Sequence, residues 1–306
     1  MNVSPDTPLV PTLVCSLGIG LLCIMDASMK LLTLGVGVYS AVLWRSMLST
    51  LTAGAIWSAG DRRLPEPRIL GLHILRAIII GCILVSFFWG LARLPLAEGI
   101  ALSFVAPLIA LFLAAFLLGE KIRPQAIWAS LAGLAGVGIV LVGQAGHGNY
   151  DPGALLGSAA VLASTFFYAL NLILGRKQAL VAKPVEIIFF QNLTLTVLFG
   201  LAAPWLGRAI PQDLWPALGA AVLLSLTGQA LMVWAYSKAE AQYLIPTEYT
   251  AFIWSIVIGW LWFNEPVTRT TLLGGTLIIA GCVVAMRSRP RLAKAVGVVG
   301  SHPGEQ

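Results

Sequence analysis

The stretch from Leu94 to Pro124 reads L-P-L-A-E-G-I-A-L-S-F-V-A-P-L-I-A-L-F-L-A-A-F-L-L-G-E-K-I-R-P. It carries no charge from Gly99 to Gly119 and stops abruptly at Glu120, Lys121 and Arg123. Crossing the hydrocarbon core of a bilayer takes about 20 apolar residues in a helix, and this run is that long. A second version, Ala239 to Arg269, lies 145 residues further on, with Lys238 opposite Arg93 and Glu265 opposite Glu120. The same offset aligns Trp89 with Trp234, Asp26 with Asn171 and Gly136 with Gly281. One register held from Asp26 to Gly136 reads as two copies of a single unit.

Composition agrees with a membrane protein. The chain is 58% hydrophobic and 10% charged, with a mean hydropathy of +0.88, whereas soluble domains carry about 25% charged residues. The net charge of +6 does not point to nucleic acid, because the basic residues form short clusters between apolar runs. Cys15, Cys23, Cys82 and Cys282 lie inside apolar runs without a C-x-x-C pair, so they read as small buried apolar residues. Met1 to Pro11 has no Lys or Arg. A cleavable leader needs a basic start, so Leu9 onward reads as a retained first span.

Apolar runs of spanning length fall near 9–32, 36–59, 70–91, 96–118, 125–144, 154–174, 185–205, 214–236, 242–263 and 270–287. The expected fold is all-α and integral to the membrane: ten transmembrane helices as two five-helix repeats, 9–144 and 154–287, with a basic cytoplasmic tail at 288–306. The runs are continuous rather than alternating, which excludes a β-barrel. Placing both termini in the cytoplasm puts thirteen Lys and Arg residues in inner loops and three in outer loops (Arg93, Arg208 and Arg269). Five spans per copy is odd, so the second copy enters the membrane inverted, an architecture many secondary transporters use. Gly133, Gly136 and Gly138 in the fifth span, and Gly274, Gly275 and Gly281 in the tenth, suit close helix packing, within one chain or between two in a homodimer.

No phosphate-binding G-x-x-x-x-G-K-[ST] is present, and Gly18-Ile19-Gly20-Leu21-Leu22-Cys23 lacks the third glycine of a dinucleotide loop. His73, His147 and His302 are isolated, so no metal, cofactor or enzymatic constellation is expected. Ionisable groups at membrane depth remain, and these mark function by default. Asp26 and Lys30, four apart on one helix face, are expected to pair, either as a self-neutralising structural contact or as pathway lining. Arg45 and Glu248 lack a local partner of opposite charge and are assigned to a cavity. Arg76 and Glu98 sit nearer span ends and are read as interface anchors. Tyr249 and Trp254 lie deeper than the other aromatics and offer flat walls to a substrate, or plain packing. Asn171 joins the candidate lining as the repeat partner of Asp26. Pro107 and Pro246 are expected to loosen their helices.

The text A-L-S-F-V-A-P-L-I-A-L-F-L-A-A-F-L-L-G-E-K-I, the Arg45 position, and Gly259-Trp260 through Asn264-Glu265-Pro266 resemble the drug/metabolite transporter superfamily, specifically EamA-type bacterial transporters, over about residues 10–287. Glu248-Tyr249-Thr250-Ala251-Phe252-Ile253-Trp254 and Met25-Asp26-Ala27-Ser28-Met29-Lys30 look more like the branch with riboflavin, S-adenosylmethionine and opine-type metallophore transporters. The resemblance implies alternating access in a bacterial inner membrane, with a small-molecule substrate and the lipid bilayer as partners. Asp26 and Glu248, as carboxylates at membrane depth, are the candidates for a coupling proton. Export of a small polar or zwitterionic, amino-acid-like metabolite is the expectation. Uptake of a cofactor-like molecule and a non-transporting membrane scaffold are the alternatives. In a cysteine-free version of the chain, an impermeant maleimide should label a cysteine placed at Val267 from outside the cell and leave one at Lys121 shielded; labelling of both from one side refutes the inverted repeat.

Overall fold

The computed structural model describes residues 9–60, 64–106, 108–109, 112–113, 124–145, 152–179, 181–238, 244, 247 and 249–287. Among them all regular structure is helical: α1 (Leu9–Val36), α2 (Val38–Ala59), α3 (Pro67–Leu91), α4 (Leu96–Ser103), α5 (Pro124–Ala145), α6 (Pro152–Ala179), α7 (Pro184–Gly200), α8 (Trp215–Lys238), α9 (Thr250–Phe263) and α10 (Arg269–Arg287). A single helical turn, Ala203–Leu206, and a 3-10 turn, Gln212–Leu214, join α7 to α8. Leu9–Val36, Pro67–Leu91, Gly153–Asn171 and Gln212–Met232 are long and apolar enough to cross a bilayer. Leu131–Gly143, Val185–Gly200 and Thr250–Phe263 are shorter apolar segments.

Helices suit a hydrocarbon solvent because every backbone hydrogen bond is made within the segment. Side chains are sorted to match. Leu13, Leu17, Leu134, Ile253 and Leu273 are exposed, while Lys30, His73, Glu98, Asn171 and Gln178 are buried. A soluble protein sorts the other way. Pro67 and Pro184 open their helices at positions whose N–H has no helical acceptor, so the missing donor costs nothing. Gly37 alone joins α1 to α2 at φ 83°, a conformation a side chain would strain. Helix α4 stops at Ser103, where Phe104 and Val105 bond three residues back to Ala101 and Leu102. A proline ring collides with the carbonyl four residues before it, and for Pro107 that carbonyl belongs to Ser103. Pro107 and Pro246, the expected bend residues, both lie outside the described residues.

The most extensive pairings are α5 with α10, α1 with α8, and α3 with α6, followed by α2 with α7; α4 also packs on α9. This set is unchanged when each of α1–α5 is exchanged for the helix five places later. Each of the first three contains a pair of glycines in close approach. A Cβ built on Gly136 would stand 2.6 Å from the Gly274 carbonyl oxygen, and one on Gly274 would stand 2.6 Å from that of Gly136. Gly18 and Gly228 meet in the same way in α1 and α8, and Gly90 and Gly157 in α3 and α6. Of the two roles open to Gly136 and Gly274, packing within the chain is the one realised. Overpacking of this kind costs about 1–3 kcal/mol. Gly136→Val and Gly274→Val should each lower the thermal midpoint in detergent, whereas Gly138→Ala, with nothing within 4 Å of its Cβ position, should leave it unchanged.

Candidate functional site

Helix α9 ends in a way that its sequence explains. Asn264 takes the left-handed conformation at φ 51°, which asparagine tolerates better than most residues. The Glu265 N–H then closes onto the Gly259 carbonyl at 3.1 Å. This turn folds the Glu265 side chain back along the helix, over Gly259, whose missing Cβ would stand 2.9 Å from Oε2. Oε2 accepts the Leu96 N–H at 2.6 Å, one of the free donors at the start of α4. Oε1 accepts Lys30 Nζ, which also donates to the Leu94 carbonyl and lies 4.9 Å from the Phe263 ring centroid. One carboxylate therefore ties α1 and the α3–α4 turn to the end of α9. Beside it, buried Glu98 accepts the Thr271 hydroxyl of α10 at 2.9 Å. Between the two carboxylates is a void of about 10 Å³, also lined by Ser255 and Thr271. That is room for one water.

The expected Asp26–Lys30 pair is therefore not the arrangement present. Four-residue spacing allows it, but Lys30 reaches Glu265 instead. Asp26 has a different partner: it interacts electrostatically with Arg45 of α2. Neither makes a hydrogen bond or a 4 Å salt bridge among the described residues, and Arg45 Nε is buried without a hydrogen-bond partner. Trp254 lies flat against α1, its ring 2.9 Å from the position a Cβ on Gly20 would take. One turn along α1, the Cys23 thiol meets the Ala251 carbonyl. Tyr249, just before α9, meets Phe104 edge-on at 5.4 Å, at the point where α4 breaks. Glu248 lies outside the described residues.

A second polar group joins α3, α6 and α7. Arg76 Nε donates to Asn171 Oδ1 at 2.8 Å, and its NH1 donates to Gln178 Oε1. Gln178 Nε2 meets His73 Nδ1, and His73 Nε2 meets Glu186 Oε1 at 3.1 Å. Asn171 is thus bound to Arg76 rather than placed beside its repeat partner Asp26. The interface-anchor assignments of Arg76 and Glu98 are corrected: both turn inward, because each finds a polar partner on a facing helix. His73, Gln178, Glu186 and Glu265 were not among the expected site residues. The i, i+3 spacing of His73 and Arg76 and the repeat position of Glu265 were the available signals.

An all-helical, multi-pass membrane protein that holds opposite charges on facing helices inside an apolar exterior has the build of a carrier for polar solutes. The chain belongs to the EamA-like transporter family, whose model matches it twice, over residues 13–142 and 155–287. It is a transporter and not an enzyme. It is 25% identical to the pseudopaline exporter of Pseudomonas aeruginosa over 269 residues, 87% of this chain and 92% of that one. It is 28% identical to a riboflavin transporter of Rhizobium johnstonii over 220 residues, 72% and 71% of the two chains. It is 27% identical to an S-adenosylmethionine uptake transporter of Rickettsia bellii over 226 residues, 72% and 74%. A solved crystal structure shares the fold at TM-score 0.58 and 20% identity, covering 91% of this chain and 96% of that one.

Removing one partner of a buried ion pair strands the other charge, at a cost of about 3–5 kcal/mol. Glu265→Gln should therefore lower the thermal midpoint sharply, and adding Lys30→Met to it should recover most of the loss. An additive double variant would show that the contact carries no coupling energy.

Proposed function

We propose that the chain is a secondary-active carrier in which a small polar or zwitterionic, amino-acid-like metabolite binds between two inverted five-helix repeats, 9–144 and 154–287. It would leave the cell by alternating access through the bacterial inner membrane, with both termini and the 288–306 tail cytoplasmic. The two family matches and the exchange-invariant helix pairing support the repeat. The bias of Lys and Arg toward one set of loops supports the orientation.

The observation that carries the substrate reading is Arg45. A guanidinium has no acceptor capacity and five donors, and here its Nε is buried with no hydrogen-bond partner, beside an Asp26 that also makes no hydrogen bond among the described residues. A carboxylate can take the Arg45 fork and an ammonium can take Asp26, so one zwitterion satisfies both. Lys30, Asn171, Glu248, Tyr249 and Trp254 complete the proposed lining, and Asp26 or Glu248 carries the coupling proton. Uptake of a cofactor-like molecule is the second reading. It is favoured by the relatives that move riboflavin and S-adenosylmethionine and by the aromatic faces of Tyr249 and Trp254.

A thermal-shift screen of purified protein against amino acids, nucleosides, flavins and sulfonium compounds separates the two readings, since a ligand bound only by the folded form raises the midpoint. On the first reading a zwitterion raises it, and Arg45→Gln weakens that ligand by at least about tenfold, the loss of one charge-assisted hydrogen bond. In proteoliposomes, Asp26→Asn or Glu248→Gln should flatten the pH dependence of transport. If both leave rate and pH profile unchanged, the coupling assignment is wrong.

A further inference from the structure

We propose that His73 is a second proton-binding residue of the carrier, and that its protonation loosens α3 against α6 at the end of the bundle where α3 and α7 begin. Arg76 can only donate. Its NH1 points at Gln178, so the Gln178 oxygen must face it. The amide nitrogen of Gln178 therefore faces His73 Nδ1, and because that nitrogen is a donor, Nδ1 must hold a lone pair. The single ring proton is then on Nε2, where it is donated to Glu186 Oε1 at 3.1 Å. Each of the four contacts along Glu186–His73–Gln178–Arg76–Asn171 sets a donor against an acceptor only while His73 is neutral.

A proton arriving from water forms an N–H bond at Nδ1 and leaves Nε2 and Glu186 as they were. The imidazolium then opposes the amide NH₂ of Gln178. Turning that amide over satisfies Nδ1 but sets NH₂ against the Arg76 guanidinium. One of the two contacts has to go, and the Arg76–Gln178 contact is one that joins α3 to α6. When the proton returns to water, the original pattern is restored.

Glu186 of α7 and Arg76 of α3 are the charged groups in the chain of bonds. Tyr168 of α6 interacts electrostatically with Arg76, and Lys183 stands exposed at the start of α7. Phe190 of α7 stacks on the imidazole at 5.4 Å, and Trp57 of α2 meets Phe190 in turn. The side chains of Arg176 and Lys177 lie outside the described residues. His73 itself is almost wholly buried, so the Glu186 side, at 18% exposure, is the more open approach for water.

The role of His73 rests on the proposed function only for the word carrier; its test needs no substrate, so it can fail while the substrate reading stands, and the reverse. Full-length protein with His147→Gln and His302→Gln, labelled with ¹⁵N-histidine and placed in nanodiscs, should show the Nε2–H tautomer at high pH and titrate on acidification. Gln178→Glu gives an acceptor that serves Nδ1–H and Arg76 together, so it should raise the His73 midpoint by about one pH unit or more, a tenfold gain in proton affinity. Spin labels at Arg68 and Val181 should move apart with the wild-type midpoint and stay fixed across pH in Gln178→Glu and in His73→Gln. An Nδ1–H tautomer, an unshifted midpoint in Gln178→Glu, or a pH-driven distance change that persists in His73→Gln overturns the proposal.

Discussion

Hydrocarbon offers no hydrogen bond, so a polar group in a membrane helix must find its partner inside the protein. The architecture follows from that. Many leucines and isoleucines are left exposed, whereas Lys30, His73 and Glu98 are buried and Arg76 is held by Asn171 and Gln178. The Glu265 carboxylate shows how tightly the demand is met: its two oxygens serve an ammonium from α1 and a free backbone N–H of α4. Asn264 and Gly259 shape the chain so that this carboxylate can reach both.

Burial of apolar area cannot hold such helices together, since lipid tails are as apolar as leucine. Close backbone approach takes its place. The glycine pairs 18/228, 90/157 and 136/274 mark the three most extensive helix contacts, and each joins a helix of the first half of the chain to one of the second. The halves are thus bound by interlocking rather than by a separate interface.

The two segments that match the family share helix pairing more than chemistry. At the offset that aligns Glu120 with Glu265, Lys30 falls opposite Gly175, Arg45 opposite Phe190 and Arg76 opposite Ala221. A Cβ on Gly175 would meet the Arg76 guanidinium at 3.5 Å, so the residue that replaces Lys30 in the second copy leaves space for a different cation. Two polar groups of unlike composition therefore join different sets of helices. One is centred on Glu265 and the other on His73 and Arg76, with Asp26 and Arg45 as a further pair on α1 and α2.

Much of this was legible in the chain alone. Run length and continuity of hydrophobicity are local properties, and they sufficed for an all-helical membrane protein, while the quoted motifs sufficed for the family. The same reading singled out Asp26, Lys30, Arg45 and Asn171 as polar residues inside apolar helices. Partners were another matter. Spacing along α1 suggested Asp26 with Lys30, yet Lys30 bonds across to Glu265, 235 residues away in sequence. Arg76 and Glu98 looked like anchors because they sit near span ends, and both are engaged by helices distant in sequence. Which charge meets which depends on the rotation and height of one helix against another. Glycine contacts spread over the whole chain set those quantities, and no window of sequence contains them.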